Sequence, residues 1–175
     1  KNFLLLLRKI DKMDYLINGI LKYASVDKVA QSQKKINTQQ IVDDIIDSIF
    51  IPKHVQIIIK NKLPIVKGDK FRLHQLFQNL IGNSVKYIDK KKGLIEIYCE
   101  EQKKCWLFSI RDNGIGIPEK YHKKIFKIFE TLDNDKNTTG VGLSIVKKII
   151  DLYEGEIWLT SIEGEETTFH FTLSK

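Results

Sequence analysis

A chain of 175 residues is long enough for one ordinary domain with a short appendage. Its hydrophobic share of 42% can build a real core, which excludes an intrinsically disordered chain, and no apolar run or signal-peptide pattern marks a membrane span or an export leader. The net charge of +7 admits nucleic acid, an anionic ligand or simply a lysine-rich solvated surface, and the scatter of the lysines favours the surface.

The first segment is helical. Phe3, Leu6, Ile10, Met13, Ile17, Ile20 and Ala24 alternate in steps of three and four, a heptad-type seam that wants a partner helix. Residues 1–30 therefore read as one long bundle helix and 31–36 as the end of a polar linker. The main domain runs over 37–175. Lys1 opens mid-pattern, so the chain reads as a piece of something longer.

Asn37 with Gln40 resembles a capping box, and Ile41, Val42, Ile45, Ile46 and Ile49 form one helix face that Pro52 ends. Val55 to Lys60 is a β-branched strand. Gly68-Asp69 opens a second helix with Leu73, Leu76, Phe77, Leu80 and Ile81 inside. Gly93 to Glu101 and Lys104 to Asp112 read as an antiparallel hairpin. Cys99 and Cys105 lie on those strands without CxxC or metal spacing, as reduced packing residues of a cytosolic protein.

Tyr121 to Phe129 reads as helical, and Glu130 to Thr139 as a polar loop. Gly142 to Tyr153 is a third amphipathic helix with Ile145, Val146, Ile149 and Ile150 inside. Strands follow over Glu156 to Ser161 and Thr167 to Leu173. The expected fold is α+β: a two-layer sandwich of a mixed sheet of about five strands, covered on one face by three helices.

Three places carry chemistry. Strand alternation puts Phe108, Ile110 and Asp112 on one face, so Asp112 points inward at the end of the core. A buried carboxylate needs a donor; Arg111 faces the other way, and a ligand amino group would serve. The glycines of RDNGIGIP would then let a flat ring lie against the backbone. The alternative is an Asp capping a tight turn.

On the helix LHQLFQNLIGNSVKY, Asn79, Asn83, Lys86 and Tyr87 share one stripe. Asparagine disfavours helix interiors. Amide oxygens suit a hard cation and Lys86 suits phosphate; the alternative is a polar flank without a role. In Thr138-Thr139-Gly140-Val141-Gly142-Leu143, glycines at a loop-to-helix junction free backbone amides to face an anion, although any helix start can look so. Asp133, Asp135 and Asn137 imitate a calcium loop, but Thr138 and Ser144 stand where its turn glycine and closing glutamate belong.

Taken in order, NLIGNSVKY, DNGIGI, IFKIF and TTGVGLSIVKKI resemble the N box, first glycine box, phenylalanine box and second glycine box of the catalytic ATP-binding domain of sensor histidine kinases, in the GHKL (Bergerat-fold) superfamily. The resemblance spans about Asn37 to Leu173. It implies that Asp112 accepts from the adenine amino group, with Gly114, Gly116 and Ile117 beside the base. Asn83 would ligate Mg²⁺ with Asn79 nearby, and Lys86 and Tyr87 would contact phosphates or ribose. Thr139, Gly140, Val141, Gly142 and Leu143 would hold the triphosphate under a lid spanning Glu130 to Thr139. Thr167 would line the adenine pocket, although Glu166 stands where the family often has glycine.

The opening helix resembles the second half of the dimerisation and phosphoacceptor hairpin. The implied reaction is transfer of the ATP γ-phosphoryl group to a histidine lying upstream of Lys1, with Asn79, Asn83 and Lys86 acting by positioning and charge neutralisation. Implied partners are ATP and ADP, the phosphoacceptor domain, the receiver domain of a response regulator and a second copy through the first helix. Nucleic acid and membrane contact are not expected of this cytoplasmic piece, and anchorage of the parent stays open. Two other readings stand beside this one. The first is ATP hydrolysis of the gyrase type, against which Asn79 replaces the glutamate that activates water. The second is a non-catalytic dimerising module.

Overall fold

A computed structural model of the chain describes residues 17–21, 23–24, 34–130 and 140–175. Phe3, Leu6, Ile10 and Met13 of the seam, Thr139, the polar loop beyond Glu130 and the calcium-loop imitation lie outside the described residues. In chain order the elements are β1 (Lys34–Asn37), α1 (Thr38–Ser48), β2 (Val55–Ile59), β3 (Ile65–Gly68), α2 (Lys70–Lys86), β4 (Gly93–Glu101), β5 (Cys105–Asp112), α3 (Gly142–Leu152), β6 (Ile157–Ile162) and β7 (Glu166–Ser174).

Capping sets the helix starts. The Asn37 side chain accepts from the amides of Gln39 (3.1 Å) and Gln40 (3.4 Å). The reciprocal half of the capping box is not made, because the Gln40 amide donates forward to Asp44 at 2.8 Å. Asp69 caps α2 by accepting from the Arg72 amide at 2.9 Å. Both helices then bury one stripe: Ile41, Val42 and Ile45 on α1, and Leu73, Leu76, Phe77, Leu80 and Ile81 on α2.

The main sheet has five strands in the order β2-β4-β5-β7-β6. β2 runs parallel to β4, and the other pairs are antiparallel. β4 alternates buried and half-buried residues, placing Ile95, Ile97 and Cys99 under the helices and Glu96 and Tyr98 on the open face. α2 packs between α1 and α3. At the centre, the ring of Phe77 meets Phe108 (5.5 Å) and Phe171 (5.6 Å) edge-on. Those two rings stack on each other at 5.0 Å.

Two local expectations change. Lys34–Asn37, overlapping the expected linker, is a strand that pairs antiparallel with β3 in a separate two-stranded ribbon. The residues expected as a helix over Tyr121 to Phe129 form a 3₁₀ turn at Glu119–Tyr121 followed by further turns. There, Pro118 precedes the first turn without a side-chain cap, and bonds such as Lys124 N–H to Tyr121 and Lys127 N–H to Lys124 span only three residues. Ile125 is buried and Phe126 packs on Phe169, so the segment is held by two anchors.

Residues 17–21 and 23–24 are helical and touch the domain at the start of α3 and along it. A Cβ on Gly19 would lie 3.0 Å from Val141. Lys148 donates to the Tyr23 carbonyl at 3.1 Å and sits 4.3 Å from its ring centroid. Ile17 and Ile20 of the seam remain exposed, at 52% and 45%.

Candidate functional site

Asp112 ends β5 between Ile95 of β4 and Thr167 of β7, and only 5% of it is exposed. Its carboxylate faces the helices, as the alternation predicts. The donor that the sequence left unassigned is on α2: Ser84 donates its hydroxyl to Asp112 Oδ2 at 3.0 Å. The Gly114 amide donates to Oδ1 at 3.0 Å, so the tight-turn role is also present. Burial pushes the carboxyl above its usual range, and these two bonds pull it back in part.

The turn after Asp112 is fixed on both sides. A Cβ on Gly114 would lie 2.6 Å from the Tyr87 carbonyl, which also accepts from the Ile115 amide at 3.2 Å. Gly116 has φ +69°, and a Cβ there would lie 2.2 Å from the Ile162 carbonyl. Both glycines are therefore required by the chain's own backbone. The Ile117 amide donates to Ser161 Oγ at 2.8 Å, and that oxygen lies 2.9 Å from Thr167 Oγ1. Asp112, Gly114, Gly116, Ile117 and Thr167 thus form one connected rim, with Thr167 only 4% exposed.

α2 supplies the second wall. Asn79 donates to the Gln75 carbonyl one turn back at 2.7 Å, and a Cβ on Gly142 would lie 2.8 Å from Asn79 Oδ1. The polar stripe of α2 therefore faces the start of α3. Asn83 is half-buried one turn further on, and no described residue bonds its side-chain amide. Lys86 is exposed in the last turn with its Nζ 5.3 Å from the Tyr87 ring, and Tyr87 is the half-buried C-cap.

The third wall is the loop-to-helix junction. Gly140 has φ +66°, and a Cβ there would lie 2.5 Å from the Glu130 carbonyl. Its own carbonyl accepts from the Phe129 amide at 2.9 Å, which joins the two ends of residues 130–140. Val141 is buried and is the N-cap of α3, and its own side chain makes no capping bond. The first amides of α3, with half-buried Leu143, stand at this junction, where the helix dipole favours negative charge.

Glu166 points to the far face of the sheet, where the Arg111 guanidinium bonds it and also reaches Glu96 at 2.7 Å. Lys60 joins Glu96 at 2.9 Å, and bonding to Lys60 and then Arg111 lowers the Glu96 carboxyl. Sequence reasoning missed Ser84 and Ser161. Ser84 was detectable as the one polar residue continuing the apolar stripe of Leu73, Leu76, Phe77, Leu80 and Ile81. Ser161 carries no such signal. No group of three or more His, Cys, Asp or Glu able to hold a metal occurs among the described residues.

The family model for histidine kinase-, DNA gyrase B- and HSP90-like ATPases matches residues 68–175. The phytochrome-like protein Cph1 of Synechocystis sp. is 37% identical over 168 residues, covering 94% of this chain and 22% of that protein. The sensor histidine kinase WalK of Bacillus subtilis is 31% identical over 174 residues, covering 93% of this chain and 28% of that protein. Among solved structures, the catalytic domain of the histidine kinase ThkA gives a TM-score of 0.68 at 26% identity, covering 84% of this chain and 97% of that one. The chain spans about a quarter of the length of these two curated relatives.

Proposed function

We infer the function of this chain from two premises, the first being that it belongs to the histidine kinase-, DNA gyrase B- and HSP90-like ATPase family. The second is the buried Asp112 carboxylate, and it is the single observation that carries the reading at the level of residues. The chain is the ATP-binding catalytic part of a sensor histidine kinase. Adenine enters beside Asp112, which accepts from its exocyclic amino group, with Gly114, Gly116, Ile117 and Thr167 around the base. Gly140, Val141, Gly142 and Leu143, with Thr139, hold the triphosphate at the N-terminal end of α3, where backbone amides and the helix dipole favour an anion. Lys86 and Tyr87 meet phosphate or ribose.

Asn83 is the candidate Mg²⁺ ligand, with Asn79 beside it. The fit rests on donor chemistry. Mg²⁺ takes one or two protein oxygens together with substrate phosphates, and the Asn83 amide is engaged by no described residue. Bound there, the ion supplies neutralisation of the phosphate charge. An imidazole nitrogen of the acceptor attacks the γ-phosphorus, the bond to the β,γ-bridging oxygen breaks, and its electrons leave on ADP. This chain's residues position and stabilise; none need take a proton. Asn79, with its amide committed to Gln75, offers no base for water, which weighs against hydrolysis.

The acceptor histidine belongs to a partner domain, and a receiver domain takes the phosphoryl group next. The exposed Ile17 and Ile20 support self-association of the first helix. Among the described residues no helix is long and apolar enough to cross a membrane. A cytoplasmic place for this part follows from the proposed use of ATP.

Titration calorimetry of Mg-ATP into the wild type and Asp112→Asn tests the assignment. A hydrogen bond to a charged acceptor contributes about 1.5–3 kcal/mol, so the variant is expected to bind about tenfold to a hundredfold more weakly. Unchanged affinity would remove Asp112 from the site.

A further inference from the structure

Ser84 lies on α2 directly after Asn83 and is 1% exposed. A serine inside a helix ordinarily bonds back to the carbonyl one turn earlier. Ser84 instead donates across the layer, 28 residues along the chain, to Asp112 Oδ2 at 3.0 Å. The other carboxylate oxygen, Oδ1, takes the Gly114 amide at 3.0 Å. A turn-capping Asp would need only the second of these bonds. With both oxygens held, the plane of the carboxylate is fixed relative to the helix and to the glycine turn together. A carboxylate has about four lone-pair directions, so two remain for a ligand, at set angles.

We propose that Ser84 is the positioning residue for nucleobase selection: its hydroxyl holds the Asp112 carboxylate in the orientation that accepts from a purine exocyclic amino group. The proposal rests on the adenine pocket inferred above. It differs from a packing role in what it changes. A hydroxyl that merely fills space between α2 and β5 affects every nucleotide equally. A hydroxyl that orients the acceptor affects only nucleotides carrying the amino group.

The test uses the whole chain as wild type, Ser84→Ala and Ser84→Cys, the last being nearly the same size but a weak donor. Affinities with Mg²⁺ are measured for ATP and for purine riboside triphosphate, which lacks only the amino group. The wild type is expected to prefer ATP by about tenfold or more, and Ser84→Ala to lose most of that preference while holding the deamino nucleotide within about twofold. Should Ser84→Ala not fold, Ser84→Cys carries the same expectation. Full preference retained in the variant overturns the proposal, as does an equal loss for both nucleotides. A wild type without preference sinks the adenine pocket itself, and the proposal with it.

Discussion

Asp112 is held in a state that costs the empty protein stability. Burial lifts its carboxyl above the ordinary value of 3.8, the Gly114 amide and the Ser84 hydroxyl lower it in part, and the Glu166 charge adds a smaller upward push. A group whose folded pKa is raised favours the fold while protonated, and that contribution is lost as the pH rises through the folded value. Asn in its place keeps both bonds, accepting from Gly114 and donating to Ser84 Oγ, without the buried charge. Thermal melts of the nucleotide-free chain should therefore show Asp112→Asn melting above the wild type at pH 7. The gain should shrink as the pH falls towards 3.8 and the wild-type carboxyl protonates. A variant that melts lower at pH 7 would show that the charge is compensated by more than these two donors. Stability gained together with nucleotide affinity lost is the expected signature of a binding group.

Elements with a sustained period were legible in the sequence, and elements with a short or mixed one were not. α2 declared itself through Leu73, Leu76, Phe77, Leu80 and Ile81, and β5 through Phe108 and Ile110, which together aimed Asp112 inward. β1 and β3 have four residues each and pair only with one another, so KKIN and IVKG carry too little alternation to show. Tyr121, Ile125 and Phe129 share a helical spacing that a run of turns pinned at Ile125 satisfies equally well. The Ser84 bond to Asp112 joins two elements, and no local period reports such a contact. The two cysteines check the strand faces. Cys99 is under the helices, and burial, with the Glu100 charge, pushes its thiol up to about 12. Cys105 is half-buried at the start of β5. A thiol-alkylating reagent followed by peptide mass mapping should label Cys105 in the native chain and Cys99 only after unfolding. Equal labelling of both would mean that β4 does not face the helices as described.

The whole domain depends on the ring cluster where α2 meets the sheet. Phe77, Phe108 and Phe171 are all 0% exposed and come from three distant parts of the chain. Phe77→Ala should cost about 3–5 kcal/mol, against about 5–15 kcal/mol for an entire domain. Urea denaturation followed by fluorescence is expected to show a much lower midpoint, with sheet and helices lost in one transition. A cost below about 1 kcal/mol would show that the three rings are not packed together. Topology carries a further consequence. β7 is the last strand in sequence, yet it lies inside the sheet between β5 and β6, and it sets Thr167 opposite Asp112. A ribosome that has released everything up to β6 has made Asp112 and its glycine turn, but not the strand that sets Thr167 opposite them. The sheet that buries Asp112 therefore closes only when residues 166–174 have emerged from the exit tunnel and inserted between β5 and β6.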